Sequence, residues 1–395
     1  MAFNRTGTWL QLFHWGPILA LSVIFTIAGV ALNCTLMWWP ITTVGGALNV
    51  IVFLIWVFLT LYNYLNAAWK GPGFVPLNWS PENKNDINFL QYCDFCEGFK
   101  APRSHHCRKC NRCVMKMDHH CPWINTCCGH FNHGNFVWFL FFAPCGCVHA
   151  VIILIPSIYR ALNYTYYYYY GNGEPLIHLS IVAFVLTMFG VGLAIGVVIA
   201  VGMLFYVQMK SIWRNETGIE SWIIDKVMFL KQAEDREREE DEGEDFIYPY
   251  DLGWRDNLKQ VFTFTGKPIS DGITWTVVEG CDQYTLTVEQ IKQKAQKRDR
   301  TLLYVIMEPY SGAMFPITKG CRVICLVPCT DEPRISVLEN DRVMVTRWKK
   351  HWLYGTKVLE NGGKNKVASK RIRGWFPRRG AKELIDNNMN DKKAV

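Results

Sequence analysis

Polar and apolar residues fall along this chain in unusually long blocks. Between Arg5 and Lys70 there is no Asp, Glu, Lys or Arg. That run, broken by Trp38-Trp39-Pro40 and Gly45-Gly46, holds two stretches of the ~20 apolar residues a helix needs to cross a bilayer. Gly16–Trp39 and Val44–Ala68 are the predicted spans. A third charge-free run, His119–Tyr159, contains an apolar segment at Phe136–Ile158, and a fourth, Pro175–Met209, contains one at Ile181–Val207. Buried helices of soluble proteins usually run about 10–14 apolar residues, so these four segments read as transmembrane helices. Gly192 and Gly196 form a small-xxx-small pair, with Gly190 and Gly202 nearby, that predicts close approach of the fourth helix to a neighbour.

Basic residues near the span ends give the orientation. The segment between spans two and three carries Lys70, Lys84, Lys100, Arg103, Arg108, Lys109, Arg112 and Lys116. It is expected in the cytosol. The 40–43 turn has no charge and the 160–175 loop has only Arg160 and Glu174, while Lys210 and Arg214 follow the fourth span, so both termini are also expected on the cytosolic side.

Composition agrees. Half of the 395 residues are hydrophobic and 19% are charged, below the roughly 25% of soluble domains, while 16 Trp, 17 Tyr and 23 Phe supply side chains suited to lipid headgroups. This balance points away from a purely soluble enzyme. The net charge of +8 is modest and uneven, which favours a membrane surface or an anionic ligand over nucleic acid.

The candidate chemistry lies in the cytosolic loop, where eight cysteines occupy the 36 residues from Cys93 to Cys128. In a reducing compartment they read as metal ligands or nucleophiles, not disulfides. Cys93-x2-Cys96, His106-Cys107, Cys110, Cys113, Asp118-His119-His120-Cys121 and Cys127-Cys128 follow in order. A Cys-x2-Cys turn brings two thiolates to a tetrahedral zinc, and a distant Cys or His pair completes the shell. Two ions need eight ligands. Cysteines 93, 96, 107, 110, 113 and 127 with two histidines provide eight, leaving Cys121 over.

Pro122 disfavours the α region for Cys121 and holds it extended, so alternate residues share a face. His119 and Cys121 then point one way, and Asp118 and His120 the other. A neutral imidazole beside a thiol can take its proton, and a carboxylate can fix that ring's tautomer. Cys121, His119 and Asp118 form a candidate nucleophile, base and orienting group, the Asp contact requiring a turn of the backbone there.

Asp118-His119-His120-Cys121, set in this cysteine-rich frame between spans two and three, resembles the DHHC protein S-acyltransferases. The resemblance implies one zinc on Cys93, Cys96, His106 and Cys113 and a second on Cys107, Cys110, His120 and Cys127. It also implies Cys121 as the residue that accepts an acyl group, palmitoyl above all, from acyl-CoA and passes it to cysteines of cytosolic protein segments, with His119 as base in each half. Gly71-Pro72-Gly73 stands where Asp-Pro-Gly is usual in the family, and Thr217-Gly218-Ile219-Glu220 where Thr-Thr-x-Glu is usual, so Gly218 has no hydroxyl with which to orient Asp118. Tyr250-Asp251-Leu252-Gly253 through Asn257, with Val261-Phe262, resembles the C-terminal motif whose Asn braces the spans. Lys100, Arg103, Arg108 and Lys109 are candidate partners of the CoA phosphates or serve only topology.

Residues 234–245 read EDREREEDEGED, a solvated linker. Beyond them, Leu302–Met307, Arg322–Val327, Asp341–Trp348, Trp352–Leu359 and Arg371–Phe376 are predicted strands. Glu339-Asn340-Asp341-Arg342-Val343, His351-Trp352-Leu353-Tyr354-Gly355 and Gly374-Trp375-Phe376-Pro377 resemble parts of an SH3 domain, which implies an SH3-type partner protein. Arg378-Arg379-Gly380 replaces the usual Tyr after that Pro. Cys34, Cys145 and Cys147 are expected as packing residues in the spans. Cys321, Cys325 and Cys329 read either as core or as acylated side chains. Lys392-Lys393-Ala394-Val395 fits the dilysine signal of endoplasmic reticulum membrane proteins.

The expected architecture is a polytopic α-helical membrane protein of four transmembrane helices with a cytosolic two-zinc cysteine-rich domain and an all-β SH3-like domain. Its expected boundaries are 1–69 for the N-terminus and first two spans, 70–134 for the zinc domain and 135–209 for spans three and four. A linker with the C-terminal motif follows at 210–300, then the SH3-like domain at 301–384 and the dilysine tail at 385–395. The alternative is a membrane-anchored zinc adaptor or ligase scaffold, which would not need the extra Cys121 beside His119. A transporter would carry ionisable groups inside its spans, and zinc-finger DNA binding would need a helix after the ligands.

Overall fold

A computed structural model describes residues 9–39, 41–237, 246–263, 266–314, 316–330, 332–358 and 372–384. The chain divides into two compact units, residues 1–289 and 290–395.

The first unit is built on helices α1 (Trp15–Trp38), α2 (Val44–Lys70), α3 (His133–Leu162), the short α4 (Tyr164–Tyr170) and α5 (Ile181–Trp213). Among the described residues, α1, α2, α3 and α5 are long and apolar enough to cross a membrane, which makes this a multi-pass membrane protein. Local chemistry sets their ends. Thr43 Oγ1 accepts the Gly46 N–H at 3.1 Å and Ser180 Oγ the Ala183 N–H at 3.2 Å, capping α2 and α5. Gly71, at φ 69°, stops α2 with a backbone turn few side chains tolerate. Large apolar side chains such as Phe58, Ile152 and Ile199 lie open on the helix surfaces, as lipid contact requires. Inside the bundle, Cys34, Phe53, Cys147, Ala150, Leu154 and Ala194 are buried together.

The close approach of α5 is displaced by a few residues from the predicted pair. A side chain at Gly192 or Gly196 would meet nothing within 4 Å, whereas one at Gly190 would lie 3.6 Å from both Leu154 and Val30. Gly190 and the fully buried Ala194 supply the small surface. Two Gly residues in this helix have the right spacing but face away from its neighbours.

Between α2 and α3 stand three antiparallel hairpins: β1 (Tyr92–Cys93) with β2 (Gly98–Phe99), β3 (His105–Cys107) with β4 (Arg112–Val114), and β5 (His119–Cys121) with β6 (Thr126–Cys128). Each turn uses a residue of positive φ, namely Glu97, Asn111 and Asn125. After α5 the chain forms α6 (Gly218–Glu237), α7 (Trp254–Lys259) and α8 (Thr285–Asp299), so much of the stretch read as linker is helical. Ile219, Ile223 and Val227 recur every four residues along α6, and Ile223 packs with Tyr250, Trp275 and Leu286. Asn257 Nδ2 donates to Trp213 O at 2.8 Å and to Asp251 Oδ1 at 2.6 Å, while its Oδ1 accepts the Leu252 N–H at 3.0 Å. The C-terminal motif thus grips the end of α5.

In the second unit β7 (Leu302–Ile306), β8 (Arg342–Trp348), β9 (Trp352–Lys357), β10 (Arg373–Pro377) and β11 (Ala381–Glu383) form one sheet in the order β10-β9-β8-β7-β11, all neighbours antiparallel. Ile306, Val337, Val343, Val345, Trp352, Leu353 and Phe376 fill its core. The strand predicted at Arg322–Val327 does not form. That stretch is α9 (Cys321–Cys325), entered through Gly320 at φ 101°. The β-branched, apolar run there suits a strand, but a tertiary partner prevails: Val323 is buried, and its carbonyl accepts the Trp352 indole N–H at 3.1 Å. Cys321, Cys325 and Cys329 are exposed, so they are not core residues. Residues 238–245 of the acidic run and the Lys392-Lys393 tail lie outside the described residues.

Candidate active site and metal clusters

The middle hairpin links the two metal-ligand clusters. His106 and Cys113 are cross-strand partners on β3 and β4, and their side chains meet Cys93, at the end of β1, and Cys96, in the turn that follows it. His106 Nδ1 lies 3.4 Å from Cys93 Sγ, 3.5 Å from Cys96 Sγ and 3.9 Å from Cys113 Sγ. Cys107, next in sequence, points to the opposite face, as strand geometry demands. With Cys110 from the turn of its own hairpin it meets His120 and Cys127, cross-strand partners on β5 and β6. His120 Nδ1 is 3.7 Å from Cys107 Sγ, 3.4 Å from Cys110 Sγ and 3.7 Å from Cys127 Sγ.

A tetrahedral ion bound to sulfur at ~2.3 Å and to nitrogen at ~2.0 Å sets ligand separations of roughly 3.5 Å. Three thiols and one imidazole at these spacings fit such an ion in each cluster, and either cluster could hold a metal.

Cys121 belongs to neither cluster. On β5 it sits one residue after the candidate ligand His120 and faces a buried group of Tyr64, Ala67, Ala68, Ile124, Phe136 and Leu140, contributed by α2, α3 and the following turn. That turn is fixed from three sides. Tyr64 Oη donates to Trp123 O at 2.8 Å, Asn125 Nδ2 donates to Gln11 O at 3.1 Å, and Gly16 comes so near that a Cβ there would lie 2.0 Å from Pro122 O. Asn132 Nδ2 donates to Ala67 O at 2.8 Å and to Cys127 O at 2.9 Å, joining α2 to the last hairpin.

Asp118 lies just before β5, and its carboxylate turns onto its own neighbour: Oδ2 accepts from His119 Nδ1 at 2.7 Å. Oδ2 also accepts from Gln208 Nε2 at 3.0 Å, and Oδ1 accepts from the Gly218 backbone N–H at 2.5 Å. Burial works against charge on Asp118, but the His119 hydrogen bond, the nearby His133 and His119 charges and the Gly218 N–H hold its carboxyl well below the usual carboxylate range. Burial likewise opposes a charged His119, yet hydrogen bonds to Asp118 and Cys121 outweigh it and raise the imidazole to about 10. The arrangement stabilises an imidazolium beside the sulfur, the state a base reaches after taking a thiol proton.

Asp118 is held at Gly218 by a buried clamp. Thr217 Oγ1 accepts the Glu220 N–H at 3.2 Å and Glu220 Oε2 accepts the Thr217 N–H at 2.9 Å, a capping box that starts α6. The same Glu220 receives Arg103 Nε at 2.7 Å on Oε1 and Nη2 at 2.7 Å on Oε2, both side chains fully buried. Arg103 Nη1 reaches Asn215 Oδ1 at 3.2 Å, and its guanidinium lies 4.3 Å from the Tyr250 ring centre. Arg103 is therefore not presented to a phosphate, which corrects its sequence-based reading. Lys100, Arg108 and Lys109 lie partly or wholly open. Burial and the Arg103 charge push Lys116, whose Nζ donates to Asn215 Oδ1 at 2.8 Å, well below its ordinary range.

The sequence reading passed over His133, Gln208, Glu220 as the partner of Arg103, and the Gly218 amide. A lone Gln near the end of an otherwise apolar helix was the signal for Gln208; a backbone donor leaves none.

The sequence pattern described as DHHC palmitoyltransferase matches residues 86–225. The zebrafish protein named Palmitoyltransferase ZDHHC6 is 50% identical over 394 residues, covering 96% of this chain and 94% of its own. The human protein of the same name is 49% identical over 383 residues, covering 93% and 91%. Probable protein S-acyltransferase 16 of Arabidopsis thaliana is 34% identical over 231 residues, 56% of this chain and 74% of its own.

Proposed function

We propose, from the premise that this chain belongs to the DHHC palmitoyltransferase family, that it is a protein S-palmitoyltransferase working through Cys121. In the first half the Cys121 thiolate attacks the carbonyl carbon of a long-chain acyl-CoA, the bond from that carbon to the CoA sulfur breaks, and the departing thiolate takes a proton from His119. In the second half His119 accepts the proton of a substrate cysteine, whose sulfur attacks the Cys121 thioester and carries the acyl group away, returning the Cys121 thiolate. Asp118 holds His119 by Nδ1 and leaves Nε2 for the proton.

The observation that carries this reading is that Cys121 lies outside both metal-ligand sets and shares a strand with His119. One zinc on Cys93, Cys96, His106 and Cys113 and another on Cys107, Cys110, His120 and Cys127 would fix the hairpins; the ions supply shape, not chemistry. Lys100, Arg108 and Lys109 are proposed for the CoA phosphates. Residues 70–134 are assigned as the catalytic module.

The sheet order of the second unit supports an SH3-like reading of 301–384. Trp352, its counterpart of a peptide-binding tryptophan, is fully buried with its N–H held by Val323 O, so no Pro-rich partner is proposed. An endoplasmic reticulum location with cytosolic termini rests on Lys392-Lys393 and the loop charges.

Cys121→Ser tests the reading. Autoacylation from labelled acyl-CoA should vanish while zinc content stays, and thioester labelling at the wild-type level would sink it.

A further inference from the structure

The carboxylate behind His119 is aimed from inside the helix bundle. Gln208, near the end of α5, and His133, the first residue of α3, are both 5% exposed, as is Asp118. Gln208 Oε1 can only accept, so His133 Nε2 is the donor across their 2.8 Å contact. The Asp118 carboxylate also only accepts, and this fixes the sense of the amide, whose Nε2 donates to Oδ2 at 3.0 Å. A reversed amide would turn its oxygen toward the carboxylate and be repelled there. The hydrogen bonds therefore run in one direction, from His133 through Gln208 to Asp118, where they meet the N–H of His119.

Asp118 can rotate about its Cα–Cβ and Cβ–Cγ bonds, and contact with His119 alone would not hold its plane. Gln208 on Oδ2 and the Gly218 amide on Oδ1 come from different elements and fix that plane between them. Gln208 and Asp118 are both buried, which keeps water from replacing the Gln208 donor. We propose that Gln208, oriented by His133, is a positioning residue for acyl transfer, keeping Asp118 Oδ2 on His119 Nδ1 so that Nε2 stays turned to the thiol. This rests on Cys121 as the nucleophile and His119 as its base. It also places one contact of the active site on the same helix that packs against α3 and α1 in the bundle, so that a shift of α5 would be felt at His119.

The test uses full-length protein in lipid nanodiscs, comparing wild type with Gln208→Leu, Gln208→Glu, His133→Leu, the Gln208→Leu/His133→Leu double variant and Cys121→Ser. Autoacylation is followed over a range of acyl-CoA concentrations, with zinc content measured on each sample. Gln208→Leu should lower the maximal rate about 10- to 100-fold, the size of one hydrogen bond to a charged acceptor. Half-saturation should move less than about twofold, and zinc should stay at the wild-type level. Gln208→Glu keeps the shape, replaces the donor with an acceptor, and should fall at least as far; it decides the matter if the leucine variant does not fold. His133→Leu should cost less, and the double variant should be no slower than Gln208→Leu, because the two act in series. A wild-type maximal rate in either Gln208 variant, or a loss seen only in half-saturation or zinc content, overturns the positioning role while an inert Cys121→Ser leaves the enzyme reading standing. Labelling that persists in Cys121→Ser overturns that reading and this inference together.

Discussion

The Gly218 amide donates to Asp118 Oδ1 at 2.5 Å, so a backbone N–H does the orienting for which the family's usual Thr would offer a hydroxyl. Gly218 is the first residue of α6, a position where proline is tolerated because its N–H has no partner within the helix. Gly218→Pro therefore removes this donor and puts the ring Cδ where the N–H pointed, so Asp118 Oδ1 must turn away. Acyl transfer should slow about 10- to 100-fold, with circular dichroism and zinc content unchanged. Gly218→Ala keeps the N–H, brings a Cβ to 3.4 Å from Asp118 Oδ1, and should stay within about threefold of wild type.

Gly16 offers a steric test of the catalytic turn. A methyl group there would lie 2.0 Å from Pro122 O, so the start of α1 or the turn after Cys121 must move. Gly16→Ala should lose about 1–3 kcal/mol of stability and most autoacylation, read by thermal melting in detergent and by label incorporation. Gly192→Ala, with nothing within 4 Å, should match wild type in both.

The Arg103–Glu220 pair is fully buried, and removing one member strands a charge. Glu220→Gln or Arg103→Met should each cost about 3–5 kcal/mol, and replacing both with apolar residues of similar volume should recover much of that loss. Glu220 is opposed by burial but held below its ordinary range by Arg103 and the Thr217 N–H. Its contribution is therefore complete above the usual Glu range near ~4.3 and is lost as pH falls through the lower folded value. Melting temperature measured against pH should keep this contribution at neutrality and lose it only in acid. In Glu220→Gln that acid-side fall should be reduced.

Chelation should silence the proposed nucleophile without touching it. His120 lies between His119 and Cys121 on β5, so release of the ion proposed at Cys107, Cys110, His120 and Cys127 frees the strand that carries the chemistry. A strong chelator should abolish thioester formation in step with the loss of zinc from that cluster, and His120→Ala should do the same without chelator. Zinc release read by a colorimetric dye, with autoacylation measured on the same sample, tests the coupling.

Much of this was legible in the sequence because its causes are local. Missing charge marked the four spans within a few residues, and Cys-x2-Cys spacing marked the tight turns of the first two hairpins. Pairings over long distances left weaker traces. Val323 could not be seen to cap Trp352, so its segment read as a strand and proved to be α9. Arg103 read as a surface cation because its partner Glu220 is 117 positions away. α6 carried a four-residue repeat at Ile219, Ile223 and Val227 but adjoined a charge run that suggested a linker. Gly218 looked like a defect, since a side-chain alphabet cannot record the amide that serves in its place.

The spare sulfur on β5 has a consequence for copies that lose it. Because Cys121 belongs to neither candidate metal cluster, a chain without that one atom would, on the proposed role of Cys121, still fold, insert and gather its clients, yet hand nothing on. Such inert copies would act as decoys, competing with working ones for the same cargo.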